Sequence, residues 1–401
     1  MSQYLKRRKK LAQCQRFGGT SGISSSREIV VGYVDSPPSE ALKELNKTGD
    51  IKIIKHLKEI KAIVLNIPDN KTEKLKEKLK GVRYIEEDGV AYGFGFSNYT
   101  DVQWNVKMIN APRLGRLFSH IWRRAFGYGV KVAVLDTGID YKHPELSGKV
   151  VYCINTLGNT LYKGTNLRKC ADRKCHGTHV AGIIAASLNN VSAAGVVPKV
   201  QLIAVKVLYD SGWGYYSDIA EGIIEAVKAG ALILSMSLGG PTDASVLRDA
   251  SYWAYQQGAV QIAAAGNSGD GDPLTNNVGY PAKYSCVIAA AAVDQNGSVP
   301  TWSSDGPEVD TAAPGVNILS TYPGGRYAYM SGTSMATPHV TGVAALIQAL
   351  RLASGKRLLT PDEVYQVITS TAKDIGPPGF DVFSGYGLVD AYAAVVAALS
   401  R

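Results

Sequence analysis

The sequence predicts an α/β protein: a parallel sheet covered by helices on both faces over residues 93–401, preceded at 27–92 by a small α+β domain of βαββαβ order and at 1–26 by a basic leader. Three observations predict this. The runs VKVAVLD (130–136), VQLIAVKVL (200–208), ALILSMSLG (231–239), AVQIAAAGN (259–267) and CVIAAAAVD (286–294) are almost continuously apolar, as strands buried on both faces are. YSDIAEGIIEAVKAG (216–230) and DASYWAYQQG (249–258) have helical periodicity and lie between such strands, as crossover connections in parallel sheets do. Short strands and charged helices before residue 88 form a separate set.

Taken in order, the leader contains KRRKK (6–10), which resembles the charged start of a signal peptide. LAQCQRFGG after it lacks the roughly 7- to 15-residue apolar stretch that such a peptide needs. The segment reads either as a leader without its apolar part or as a solvated tail. REIVVGYV (27–34) is a strand, and PPSEALKELNKTG (37–49) is a helix with Pro at its start and Gly beyond its end. IKIIKHLK (51–58) and EIKAIVLNI (59–67) are strands, DNKTEKLKEKLKG (69–81) is a capped charged helix, and VRYIEE (82–87) is a closing strand. That order is the split βαβ plan. DGVAYGFGFSNYTD (88–101) is dense in Gly, Ser, Asn and Asp, so it is expected to be an exposed linker open to proteolysis.

A hydrophobic content of 45% is enough for a full core, and no run approaches the ~18 apolar residues of a membrane span. No membrane association is expected. The formal charge of +9 is unevenly placed: residues 1–92 hold 19 Lys and Arg against 12 Asp and Glu, or +7, which leaves +2 for the remainder. A nucleic-acid partner is therefore not expected. Of the five Cys, Cys14 lies in the leader, and Cys153, Cys170, Cys175 and Cys286 could form one or two bridges in an exported protein or stay as thiols. CADRKCH also brings Cys170, Cys175 and His176 together as a zinc site would, without a fourth ligand nearby.

No G-x-G-x-x-G follows the first buried strand, so a dinucleotide fold would lack its phosphate cradle. Three polar groups instead stand at element ends. Asp136 closes VKVAVLD, His176 opens HGTHVAG ahead of an apolar helix, and Ser334 opens SMATPHV ahead of another. A Ser hydroxyl becomes a useful nucleophile only when a base takes its proton and a carboxylate orients that base; a helix N-terminus favours the developing negative charge. Small residues around Ser334 would let a substrate backbone approach, and Pro338 would fit an early helical turn. Taken singly, Asp136 could be a phosphoacceptor or ribose ligand, His176 a core imidazole and Ser334 a helix cap.

With VAVLDTGID, HGTHVAG and GTSMATPHV in the chain order Asp, His, Ser, the sequence resembles the subtilisin-like serine proteases (subtilases) of the secreted bacterial or archaeal type, propeptide attached. The resemblance runs from about residue 27 to GYGLVDAYAAV (385–395). It implies that Asp136 orients the imidazole, that His176 is general base and then general acid, and that Ser334 attacks the scissile carbonyl. His179 would be structural. Asn267 in AAAGNSG would donate to the oxyanion beside the Ser334 N–H, and loss of one such donor costs ~100- to 1000-fold in turnover in subtilisins.

The same resemblance lays an extended polypeptide between Ser237–Leu238–Gly239–Gly240 and Gly212–Trp213–Gly214, with Gly279 at the floor of a deep pocket and Trp213 and Tyr216 lining a second one. A large apolar or aromatic residue before the cut is expected; Asp270 and Asp272 raise a basic preference as the alternative. Residues 27–92 would be chaperone and inhibitor, their last residues lying in the cleft, with self-cleavage near Tyr92 or Phe94. Calcium is the implied cofactor: Glu145, the Asn189 side chain and the carbonyls of Val191 and Ala193 at one site, with Asp101 only near the expected N-terminal ligand, and Asp310 with the carbonyls of Ala282 and Tyr284 at a weaker one. Tyr280–Pro281 would be cis. The expected product is a secreted monomer that matures by cutting itself. Two readings compete: a catalytically silent binding protein on the same fold, and a nucleotide-binding α/β protein using Asp136.

Overall fold

The computed structural model describes residues 26–34, 43, 46, 49–57, 62–68, 81–87, 103–117, 127, 129–158, 161–188 and 193–401. The chain divides into two compact units between Phe94 and Gly95. In the first, β1 (Ser26–Tyr33), β2 (Lys52–Leu57), β3 (Ala62–Pro68) and β4 (Val82–Glu87) form one sheet in the order β2-β3-β1-β4. All of its neighbours are antiparallel. This is the arrangement that a βαββαβ chain adopts. Ile63, Leu65 and Ile67 alternate along β3 and share one buried face with Val31, Tyr33 and Ile51. The leader up to residue 25, the 88–101 linker and, apart from isolated positions, the helices expected at 37–49 and 69–81 lie outside the described residues.

The second unit is built on eight strands: β5 (Lys131–Asp136), β6 (Val150–Asn155), β7 (Tyr162–Gly164), β8 (Gln201–Lys206), β9 (Ile233–Met236), β10 (Val260–Ala264), β11 (Ile288–Val293) and β12 (Thr311–Pro314). Their order is β12-β11-β10-β9-β5-β8-β6-β7, parallel throughout except for β6 with β7. Strand order reverses at β5, so the crevice beyond its carboxyl end is where an open α/β sheet places its ligand. Every residue of β9, β10 and β11 is buried, which requires cover on both faces. α3 (His176–Ala185) and α6 (Thr333–Ala353) pack together, α3 on β5 and α6 on β9 to β12; α4 (Tyr216–Lys228) and α5 (Ser245–Gln256) form the other pair, against β5, β6, β8 and β10.

α1 (Trp104–Met108) and α2 (Ala111–Leu117) precede the sheet; α7 (Pro361–Ser370) and α8 (Ala391–Ser400) follow it. A hairpin, β13 (Ile318–Tyr322) with β14 (Arg326–Met330), lies against α3. Buried His339 in α6 donates from Nδ1 to Met335 O at 2.8 Å and accepts at Nε2 from the Asn105 amide of α1, also at 2.8 Å. Burial pulls its pKa down to about 4, so it is a neutral core group. No helix among the described residues is long and apolar enough to cross a membrane.

Cys153 of β6 is bonded to Cys170, with their Cα atoms 5.8 Å apart, and Cys175 and Cys286 are thiols. This corrects the zinc alternative for Cys170, Cys175 and His176. The Cys170 sulfur is consumed by Cys153, and the His176 Nδ1 is held by a carboxylate.

Candidate active site

Asp136 is the last residue of β5 and is fully buried. One of its oxygens accepts from the Thr137 N–H at 2.6 Å, and both lie 2.9 Å from the His176 Nδ1. With Nδ1–H donating to Asp136, the other ring nitrogen, Nε2, is the basic one. Burial alone would depress the His176 pKa, but the charge and hydrogen bond of Asp136, with Asp172 behind it, outweigh burial and raise it above the ordinary value. α3 can bring His176 this close because residue 177 is glycine: a Cβ there would meet Gly138 O at 2.1 Å and the Asp136 Cβ at 3.0 Å. His179, one turn on, is buried with Nε2 3.1 Å from Ile318 O and 3.0 Å from Ala328 O. Burial holds its pKa near 4, consistent with the structural part expected of it.

Ser334 is the second residue of α6, in the first turn, where backbone N–H groups have no intrahelical acceptor. Its hydroxyl donates to Ser237 O at 3.1 Å. The expected early-turn position of Pro338 needs correcting: it is the sixth residue of α6, deep enough that its missing N–H would have served Ser334 O. Ser237 Oγ donates to that carbonyl at 2.8 Å instead. Asn267 lies just beyond β10, and its Oδ1 accepts from the Thr333 N–H at 2.9 Å and hydroxyl at 3.0 Å. With the oxygen so occupied, the amide nitrogen is the end of Asn267 left to face a ligand.

His176, Ser334 and Asn267 line one groove of about 1010 Å³. Gly212, Trp213, Gly214, Tyr216, Ser237, Leu238, Gly239, Gly240 and Gly279 line it too, so every residue expected on the substrate cleft is brought together there. Gly240 and Tyr280 exchange backbone hydrogen bonds of 3.0 and 2.8 Å, which fixes the Gly279 segment across from Gly239–Gly240. Tyr280–Pro281 is cis. Trp213 is 52% exposed and packs against Tyr209, tilted, and Tyr215, edge to face, at centroid distances of 4.9 and 5.2 Å. Asp270 and Asp272 do not line the groove. Asp270 instead accepts from Asp272 N at 3.0 Å and the Thr275 hydroxyl at 2.9 Å within an exposed loop, bonds that hold its pKa below the ordinary value.

Asp172 escapes the sequence reading, in which CADRKCH stands out only for Cys170, Cys175 and His176. Its carboxylate is buried under the Asp136–His176 pair and accepts from five donors. A carboxylate four residues ahead of a helix-opening His was the one available signal.

Of the calcium ligands expected at the first site, Asp101, Asn189 and Val191 lie outside the described residues. Buried Glu145 accepts at Oε1 from the Tyr327 hydroxyl at 2.7 Å. Close to it, burial pulls Lys149 down to about 8 against the opposing pull of Glu145. At the second site Asp310 is nearly buried; burial pushes its carboxyl up to about 6, despite bonds from Ala289 N and Tyr365. Ala193, Ala282 and Tyr284 are buried and would contribute only backbone carbonyls. Oxygen donors with a desolvated carboxylate suit a hard cation. Among the described residues no cluster of three or more His, Cys, Asp or Glu side chains could hold a metal, so any cation there would rest largely on carbonyl and amide oxygens.

Comparison with known proteins follows the same lines. Residues 127–387 match the Subtilase family, and residues 25–88 match the Fervidolysin N-terminal prodomain. Subtilisin E of Bacillus subtilis is 37% identical over 374 residues, 92% of this chain and 91% of its own length. An intracellular serine protease of Paenibacillus polymyxa is 42% identical over 302 residues, 75% and 88% of the two chains. Subtilisin DY of Bacillus licheniformis is 43% identical over 268 residues, 67% and 91%. The chain belongs to the subtilase family. It is a serine endopeptidase of the subtilisin type with an N-terminal prodomain.

Proposed function

We propose that Asp136, His176 and Ser334 are the catalytic triad and Asn267 the oxyanion donor of this protease. One observation carries the reading: His176, held from behind by Asp136, lines a single groove together with Ser334 and Asn267. In the reaction the Ser334 hydroxyl exchanges Ser237 O for His176 Nε2, gives its proton there and bonds to the scissile carbonyl carbon. The resulting oxyanion is met by the Asn267 amide and the Ser334 N–H. His176 then protonates the leaving amine, and water repeats the sequence to free the acyl group. A fluorophosphonate probe tests this: labelling at Ser334 that disappears in His176→Ala is expected, and absence of labelling in the processed protein would leave the silent binding protein as the better reading.

The domain limits of 27–92 for the propeptide and 93–401 for the protease belong to the same proposal. An extended polypeptide pairs with Gly212–Gly214 on one side and Ser237–Gly240 on the other, which binds main chain of any sequence. Choice then falls to the pocket whose floor is Gly279, which takes a large apolar or aromatic residue, with Trp213 and Tyr216 holding another further upstream. The enzyme frees itself by cutting near Tyr92 or Phe94 and works as a monomer. N-terminal sequencing after expression with and without Ser334→Ala checks this, since a Ser334→Ala precursor cut at the same bond in a protease-free host would rule self-cleavage out.

Calcium is proposed at the Glu145 and Asp310 sites, where bound cation would tie surface loops to the sheet. Secretion is supported by the Cys153–Cys170 bond, which suits an oxidising compartment. The name of the Paenibacillus polymyxa relative favours retention in the cell as the second reading. Cell fractionation separates the two: mature protein found only in the cytosol would defeat secretion.

A further inference from the structure

We propose that Asp172 is a positioning residue for His176, bracing the first turn of α3 against the Thr137 end of β5. This rests on the triad reading and adds to it a residue that touches neither substrate nor Ser334.

The geometry is two-sided. One oxygen, Oδ1, accepts from the Thr137 hydroxyl at 2.9 Å and from the backbone N–H groups of Lys174 and Cys175 at 2.9 and 3.0 Å. The other, Oδ2, accepts from the Thr178 N–H at 2.9 Å and hydroxyl at 2.6 Å. Thr137 adjoins Asp136, and its hydroxyl also accepts from the Gly177 N–H at 3.0 Å. Cys175 and Thr178 bracket His176 in the chain. A single carboxylate therefore ties the residue after the orienting Asp to both flanks of the His.

The brace also explains a strained backbone. Cys175 has φ of 130°, outside the range that a residue with a Cβ ordinarily occupies. Such a conformation is costly and persists only where surrounding bonds over-determine it. Asp172 supplies one of them at Cys175 N itself. The disulfide anchors the segment from the other side: Cys170, two residues earlier, is bonded to β6, and its carbonyl accepts from Ile139 N at 2.9 Å. Asp172 is thus held before it holds anything else.

The groups facing this pair decide the sign of the electrostatic effect. His176 meets Asp136 from β5, Asp172 and Cys175 from the preceding loop, and His179 from its own helix. Lys206 from β8 is bonded to Thr137 O and Asp210, Lys174 lies beside Asp172, and Tyr322 of the hairpin bonds the Cys175 thiol. The Asp172 charge favours imidazolium, and a general base must be neutral to act. Removing that charge therefore moves the onset of activity to lower pH.

The test is Asp172→Asn in the full chain, with kcat, KM and the pH dependence of kcat/KM measured on a short peptide after maturation. Expected are a kcat lower by roughly 10- to 100-fold, as displacement of a catalytic group costs, a KM within about twofold because the groove is untouched, and an acid limb shifted downward. A packing role alone would lower the melting temperature without moving that limb. The proposal is overturned if kcat and the limb both stay at parental values. Should Asp172→Asn not fold, Thr178→Val removes the hydroxyl's bond to Asp172, together with the one it accepts from the Asp140 N–H, and keeps the charge. Its kcat should then fall several-fold with the limb unmoved, and an unchanged kcat overturns the proposal. Fluorophosphonate labelling of the parent runs beside these: no label at Ser334 defeats the triad reading, whereas a labelled parent with indifferent variants defeats only the brace.

Discussion

Ser237 meets Ser334 twice, once through its carbonyl and once through its hydroxyl. The second contact replaces a hydrogen bond that Pro338 cannot make, so a proline well inside α6 is tolerated at low cost. Ser237→Ala leaves Ser334 O without that donor in a part-buried place, and an unsatisfied buried acceptor costs about 1–3 kcal/mol. Denaturant unfolding in a Ser334→Ala background, which lacks the proposed nucleophile, should show a loss of that size. A midpoint equal to the parent's would mean that the carbonyl finds another partner. The sequence places Ser334 at the mouth of the helix and Pro338 in its early turn. Nothing local marks Ser237, 97 residues away in the chain, as the replacement donor.

At the level of elements, legibility followed burial. Strands β5 and β8 to β11 were readable because cover on both faces makes them continuously apolar. Strand β6 escaped notice because VVYCIN is only partly buried, and β7 because three residues of edge strand carry no pattern. α5 begins at Ser245, four residues before the expected start, since no capping side chain announces it. The disulfide joins β6 to a short turn across 17 residues. Loop closure of that length is worth ~3 kcal/mol in the chain-entropy account. Replacing both Cys153 and Cys170 by Ala should lower unfolding stability by about that much in the Ser334→Ala background, and a change under about 0.5 kcal/mol would show that neighbouring contacts already restrain the turn.

Across the whole molecule, Asp136, His176, Ser334 and Asn267 could be read from the chain because each stands at an element end in a short, recognisable phrase. Asp172 could not, since its part is made entirely of contacts with Thr137, Cys175 and Thr178 that only folding creates. Calcium, bound as proposed, would act at this same scale. A cation bound to the folded form alone stabilises it by mass action, about 2.7 kcal/mol when present at a hundred times its dissociation constant. Melting of the Ser334→Ala protein should therefore fall clearly on adding chelator and recover with excess calcium. Superimposable melts would remove the metal from this account.

The tie between Asn105 and His339 reaches past folding. Gln103 is fastened as well, through Leu319 O and the Ala194 N–H. If the chain is cut upstream as proposed, Asn105 would still be tied to the helix bearing Ser334. Aminopeptidases nibbling inward from ragged starts would stall at one common residue, and differently clipped molecules would converge on a uniform end.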